Sequence, residues 1–107
     1  MVAQDLSPVL FSTLYRLAEL GAYPGELIIT TSKLARSLDV SQQTASRHLI
    51  ELQTLGLIRR TRAARGESIR VTTRGSEELN RMRLRLKAIF EMKPREVVLE
   101  GILFSGI

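Results

Sequence analysis

Apolar side chains recur at three- and four-residue intervals in four stretches of the chain, separated by short runs with the character of strands. Leu10, Phe11, Leu14, Leu17 and Ala18 share one face of a first helix. Ser7 is placed to cap it, Pro8 stands at its first position where a missing N–H costs nothing, and Gly21 can end it. Leu6 and Phe11 have the spacing of a hydrophobic staple. After a turn containing Tyr23-Pro24-Gly25, the run Leu27-Ile28-Ile29 reads as a short strand. Thr31 or Ser32 caps a second helix to about Leu38, with Leu34 and Leu38 inward and Lys33, Arg36 and Ser37 outward.

Asp39-Val40 makes a turn, Ser41 opens a third helix and Gly56 offers its stop. Ala45, Leu49, Leu52 and Leu55 mark the buried face of that helix. Leu57 to Arg62 and Ser68 to Thr72 form a hairpin around a loop with Gly66 at its tip, Ile69 and Val71 alternating with polar neighbours. Thr73 or Ser76 caps a last helix to about Met92, with Leu79, Met82, Leu86, Ile89 and Phe90 on one side and Arg81, Arg85 and Lys87 away from it. Lys93-Pro94 breaks the pattern, Glu96 to Phe104 reads as a new strand, and Ser105-Gly106 begins a turn.

Two helices joined by a turn and followed at once by an arginine-rich hairpin are the outline of a winged helix-turn-helix. The fold class expected is therefore α+β, mainly α, with a two-stranded wing, followed by one further strand, which a resemblance of residues 100–107 set out below implies is the first of a truncated β-barrel domain. Residues 1–92 form the expected helix-turn-helix domain and residues 93–107 a linker and the start of the barrel. Charge sharpens this picture. The net +5 resides in residues 41–75, with −1 before them and +1 after them, and a basic patch of that kind points to a polyanionic partner.

A helix that reads the major groove needs amides or a guanidinium near its N-terminus. Gln42, Gln43 and Arg47 are of those types, and Ser46 is small enough to permit close approach. Ser41, Thr44 and the free N–H groups of the first turn suit phosphate oxygens, as do Lys33 and Arg36 on the preceding helix. Taken alone, such a helix tip is equally an ordinary capped surface. The hairpin adds Arg59, Arg60, Arg62, Arg65 and Arg70 against Glu67, and Arg65-Gly66 at its tip has the form of a minor-groove or phosphate contact. Double-stranded DNA is the partner expected, and the clustered arginines discourage a module that binds only proteins.

The segment LARSLDVSQQTASRHLIELQTLGLIRRTRAARGESIRVTTRGSEEL, from Leu34 to Leu79, resembles the winged helix-turn-helix regulators of the MarR type. It matches their helix-turn-helix, the LGLI entry to the wing and the LTxxG start of the next helix, and the likeness runs from about Pro8 to Phe90. Ala35 occupies the small position where the two helices of the motif touch, and Asp39 stands where simpler helix-turn-helix proteins have glycine. The resemblance implies a homodimer on a palindromic site, with the first and last helices as candidates for pairing.

Glu100-Gly101-Ile102-Leu103-Phe104-Ser105-Gly106-Ile107 resembles the opening strand and glycine turn of the archaeal CTP-dependent riboflavin kinases. Some of these carry a winged helix domain in front of the kinase. This likeness implies a parent protein that phosphorylates riboflavin to FMN with CTP and Mg, its metal-binding threonine and asparagine beyond Ile107. Gly106 and Ile107 are then the edge of the nucleotide site, while no catalytic or metal-binding residue is expected among these 107. The alternative is a stand-alone MarR-like dimeric repressor without enzymatic activity.

Other chemistry is sparse. The chain has no cysteine, which excludes disulfides, cysteine-ligated metals and thiol catalysis, and its single histidine is too few for a histidine metal site. His48 is expected on the helix surface beside Arg47. The aromatic residues are scattered, without the spacing of a base-stacking platform, and the carboxylates show no acid–base pairing. With no basic n-region and no apolar run of membrane-spanning length, a soluble cytoplasmic protein is expected.

Overall fold

The computed structural model describes residues 6–91. Its elements run α1 (Pro8–Leu17), β1 (Leu27–Ile29), α2 (Thr31–Leu38), α3 (Gln42–Thr54), β2 (Ile58–Arg62), β3 (Glu67–Val71) and α4 (Thr73–Phe90). Helix α1 widens at its end into a π-type turn, Ala18–Ala22, in which Gly21 takes a φ of +121° and redirects the chain. The three strands form one antiparallel sheet in the order β1-β3-β2, with Leu27 opposite Ile69 and Ile58 opposite Val71. The linker and barrel strand expected over 93–107, Gly106 and Ile107 included, lie outside the described residues.

Each helix starts where a hydroxyl satisfies an otherwise unpaired N–H. Ser7 accepts from the Leu10 N–H at 3.2 Å and Ser41 from the Thr44 N–H at 3.1 Å. The other two caps differ from expectation by one residue or more. Thr30, rather than Thr31 or Ser32, caps α2, because β1 ends at Ile29 and leaves Thr30 as the extended residue between strand and helix. Thr72, rather than Thr73 or Ser76, caps α4, and its hydroxyl also donates to the Gly56 carbonyl at 2.6 Å, fastening the start of α4 to the end of α3. Asp39 ends α2 with φ 58° and ψ 46°. That left-handed conformation is what glycine supplies in simpler helix-turn-helix proteins, and aspartate is one of the few other residues that adopts it readily.

The core gathers Leu10, Leu14 and Leu17 of α1, Leu34 of α2, Leu49 and Leu52 of α3, and Leu57, Ile58, Ile69 and Val71 of the hairpin. Leu55, expected inward, is 45% exposed. The helix has ended by Thr54, so the chain turns at Leu55-Gly56 and Leu57 takes the inward place instead. The inward stripe expected along α4 is also cut short. Leu79 packs on the core and Met82 is half-buried, but Leu86, Ile89 and Phe90 are exposed, Phe90 at 81%. Helix α4 outruns the elements it packs against.

Two glycines are fixed by close approach. Gly66, at φ +91°, brings the wing tip so near the end of β1 that a Cβ would lie 2.7 Å from the Ile29 carbonyl carbon. Gly75 lets α4 descend onto the hairpin, where a Cβ would overlap the Leu57 carbonyl oxygen and lie 2.8 Å from Val71 Cγ1. Gly75→Ala is therefore expected to destabilise the domain by about 1–3 kcal/mol, the range for overpacking, as read by urea or thermal denaturation; an unchanged midpoint would show that α4 is not held at that contact.

Candidate nucleic-acid interface

Helix α3 has two unlike faces because its sequence alternates small polar residues with a leucine stripe. Ala45, Leu49 and Leu52 are wholly buried, and the helix packs against α1, α2 and β2. Ala45 and Ala35 are small and buried, so α2 and α3 can approach closely. On the opposite face Ser41, Gln42, Gln43 and Arg47 are exposed, with Thr44 and Ser46 half-buried beside them. Gln42 and Gln43 open the helix and Arg47 follows a little more than one turn later. Ser41 Oγ donates to Thr44 Oγ1 at 2.9 Å, which leaves the Thr44 hydroxyl hydrogen free to meet an oxygen outside the helix. Lys33 and Arg36 are exposed on α2.

The sheet register divides the wing arginines into groups that the sequence does not separate. Alternation along β2 puts Arg60 and Arg62 on the face of Ile58, and Arg59 on the other. Arg59 stands directly opposite Arg70, both exposed, so two like charges face each other across β2 and β3. Arg62 and Arg65 are exposed towards the tip of the hairpin. Arg70 belongs with Arg59 by register.

Arg60 differs from the other arginines of the expected set in being engaged within the protein. It holds Glu67 through two bonds, Nε to Oε1 at 2.6 Å and Nη2 to Oε2 at 3.0 Å. Its Nη1 donates to Gln53 Oε1 on α3 at 3.4 Å. Only 20% of its side chain is exposed. Hydrogen bonding to the Glu67 carboxylate, outweighing the opposite effect of burial, raises the guanidinium pKa above its ordinary value. The physical reason is register: Glu67 on β3 is a diagonal neighbour of Arg60 on the same sheet face, within reach of a long side chain. Arg60 thus ties the wing to α3.

The placement of His48 corrects the expectation. It is 8% exposed, not on the surface, because α1 crosses the face of α3 on which it lies, and its Nδ1 is 3.2 Å from Thr13 Oγ1. The aromatic residues that look scattered in sequence also converge. Phe11, Tyr15, Tyr23 and Phe90, with Arg83 and Lys87, line an open groove of about 830 Å³ between α1 and α4. Phe11 and Tyr15 stack with ring centroids 6.2 Å apart.

A family model described as MarR family matches residues 5–67, more than half of the sequence. The chain belongs to the MarR family. A MarR family transcription regulator of known structure superposes on this MarR-family domain with a TM-score of 0.66 at 26% identity, covering 92% of this chain and 60% of the other. A point variant of MepR from Staphylococcus aureus, solved bound to an oligodeoxyribonucleotide, superposes with a TM-score of 0.60 at 20% identity, covering 91% and 73%. Among sequence relatives, a riboflavin kinase of Methanocorpusculum labreanum is 38% identical over 94 residues, which are 88% of this chain and 42% of that protein. The domain spans less than half the length of the curated relatives it matches. Among the described residues, no helix is long and apolar enough to cross a membrane.

The split among the arginines yields a contrast in solution. Replacing Arg62 or Arg65 with alanine is expected to flatten the dependence of log binding constant on log salt by roughly one unit per lost phosphate contact. Arg60→Ala is expected to lower the thermal midpoint while leaving that slope unchanged. A slope reduced as much by Arg60→Ala as by Arg62→Ala would return Arg60 to the interface.

Proposed function

We propose that this MarR-family domain binds double-stranded DNA as the regulatory part of a protein that also phosphorylates riboflavin. The observation that carries the first half is the exposure of Gln42, Gln43 and Arg47 at the start of a helix whose opposite face is wholly buried. Such a helix enters a major groove as a rigid body, with amides suited to adenine and a guanidinium suited to guanine. Ser46 admits the groove wall, while Ser41, Thr44, Lys33 and Arg36 meet the flanking phosphates. Arg62 and Arg65 extend the contact to the neighbouring minor groove or its phosphates, with Arg59 and Arg70 as a more distant field. The oligonucleotide complex of MepR supports this reading by analogy of fold.

The exposed part of α4 supports a homodimer. Leu79, Met82, Leu86 and Ile89 follow intervals of three, four and three, the seam of a coiled coil, and the last two are bare. A second copy pairing there and along α1 would present two reading helices to a palindromic site. Leu86→Asp combined with Ile89→Asp is expected to leave a folded monomer in sedimentation, and a dimer that persists would move the pairing surface elsewhere.

The second half rests on the relatives. Those matched over most of this chain are riboflavin kinases more than twice its length, and Glu100 to Ile107 carries the resemblance to their barrel. On this reading CTP would give its terminal phosphoryl group to riboflavin, leaving CDP and FMN, and a bound Mg would offset the phosphate charge, all in the part of the protein beyond α4. Gly106 and Ile107, the proposed edge of the nucleotide site, lie outside the described residues. Phosphorylation of riboflavin by the full-length protein with CTP and Mg tests this half. No turnover would favour the stand-alone repressor.

The DNA half is tested with a duplex selected by the wild-type chain from a random-sequence pool. Arg47→Ala is expected to weaken binding to it by about 1–3 kcal/mol and to relax preference at one base position. An equal loss on every sequence would demote Arg47 to a phosphate contact.

A further inference from the structure

Thr13 on α1 and His48 on α3 are the two buried polar side chains among the described residues, at 2% and 8% exposure, and they are bonded to each other. Everything else inside the domain between these helices is leucine or alanine, notably Leu10 and Leu14 on one side and Ala45, Leu49 and Leu52 on the other. The hydroxyl of Thr13 donates to the Val9 carbonyl of its own helix at 3.1 Å. One hydroxyl carries one hydrogen: directed at Val9 it leaves Oγ1 to accept from His48 Nδ1–H, and directed at His48 it donates to Nδ1, so the 3.2 Å contact is a hydrogen bond with either tautomer. A threonine held against its own helix backbone gives the imidazole a fixed partner.

Stability alone does not call for this arrangement. A buried polar pair exchanges bonds to water for one internal bond, and an apolar pair of the same shape does as well or better. What the pair supplies is direction. Contacts between leucines are non-directional, so the apolar back of α3 tolerates small rolls of the helix about its axis by rotamer adjustment. A hydrogen bond does not, since it weakens steeply off its line. The consequence is felt at the neighbouring residue. With side-chain tips about 5–6 Å from the helix axis, a roll of roughly 20° moves the tip of Arg47 by about 2 Å, more than the tolerance of a paired contact to a base.

We propose that the Thr13–His48 hydrogen bond sets the roll of α3 about its axis, which makes Thr13 and His48 positioning residues for the base-reading face of Gln42, Gln43 and Arg47. The proposal rests on the DNA-binding reading above and names what gives that reading its sequence selectivity. It also gives α1 a direct hold on the reading helix. Phe11 and Tyr15 of α1 line the groove shared with α4, while Thr13 of the same helix faces inward to His48.

The test compares binding to the duplex selected by the wild-type chain with binding to a scrambled duplex of the same length and composition, using the full 107-residue chain. Thr13→Val and His48→Leu each delete the bond, Thr13→Ser keeps the hydroxyl, and Thr13→Val/His48→Leu replaces both partners by apolar groups. The selected-over-scrambled ratio is expected to fall about tenfold in both single variants, the size of one mis-read base pair. Affinity for the scrambled duplex and its salt dependence should stay as in the wild type. Thr13→Ser should retain the ratio. The double variant should recover the thermal midpoint lost by the singles, because no unpaired polar group remains, yet keep the reduced ratio. A double variant that regains selectivity together with its midpoint would overturn the proposal, since the pair would then act through packing alone. A single variant that loses affinity equally for both duplexes would overturn it as well. A wild-type chain that prefers no selected duplex over the scrambled one would remove the DNA-reading function, and this inference with it.

Discussion

The apolar back of α3 is the constraint on which the rest of the domain depends. Ala45, Leu49 and Leu52 are wholly buried, and α1, α2 and β2 pack directly against the helix that carries them. Helix α2 closes one side with Leu34 and Ala35, α1 crosses another with Leu10 and Leu14, and the hairpin that follows α3 brings Leu57, Ile58, Ile69 and Val71 underneath. Because one face of α3 is so fully committed, the opposite face is kept in water, with its depth set by packing and, on the proposal above, its roll set by the Thr13–His48 bond. That pre-organisation is what a groove-reading helix requires: side chains of the right chemistry, presented without a flexible support.

The wing is secured by a different means. Its strands are five residues each, and a two-stranded ribbon of that size is marginal alone. Strand β1 pairs with β3 as far as Glu67, and the approach of Gly66 to Ile29 places the loop tip beside the start of α2. Arg60 then braces the inner face by holding Glu67 and reaching Gln53 on α3. One arginine of the cluster thereby serves the fold, joining β2 to β3 and reaching α3. The Arg59–Arg70 pair shows the reverse relation. Like charges set directly opposite each other are unfavourable to the pairing of the two strands.

Helix α4 joins the two halves of the proposed protein. Its first turn is bound into the domain through Thr72, Gly75 and Leu79, whereas its last turns leave Leu86, Ile89 and Phe90 bare. Those residues would be costly in a solitary domain. They become reasonable if a second copy covers them, and their heptad spacing fits that occupant. The relatives in turn place more than half of their length outside the region matched by this domain.

Much of this was legible in the sequence. The order of elements, the turn at Asp39, the exposed Gln42, Gln43 and Arg47, and the inward Leu49 and Leu52 follow from helical periodicity and capping, which are local properties. The same local rules located the wing and its charge, and the family matched the resemblance drawn from Leu34 to Leu79. What local rules do not carry is which residue lies across from which. Strand register placed Arg60 against Glu67 and Arg59 against Arg70, and no spacing along one strand reveals its partner on another. The crossing of α1 over α3 buried His48, which helix periodicity alone leaves at the margin of the apolar face. Where the neighbours of α4 end decided which of its leucines stayed exposed. The sequence by itself determined the elements and their chemistry, because each rests on residues a few positions apart. Only the tertiary structure decided which charges are free and which polar groups are buried, because those outcomes depend on contacts between residues as far apart as Thr13 and His48.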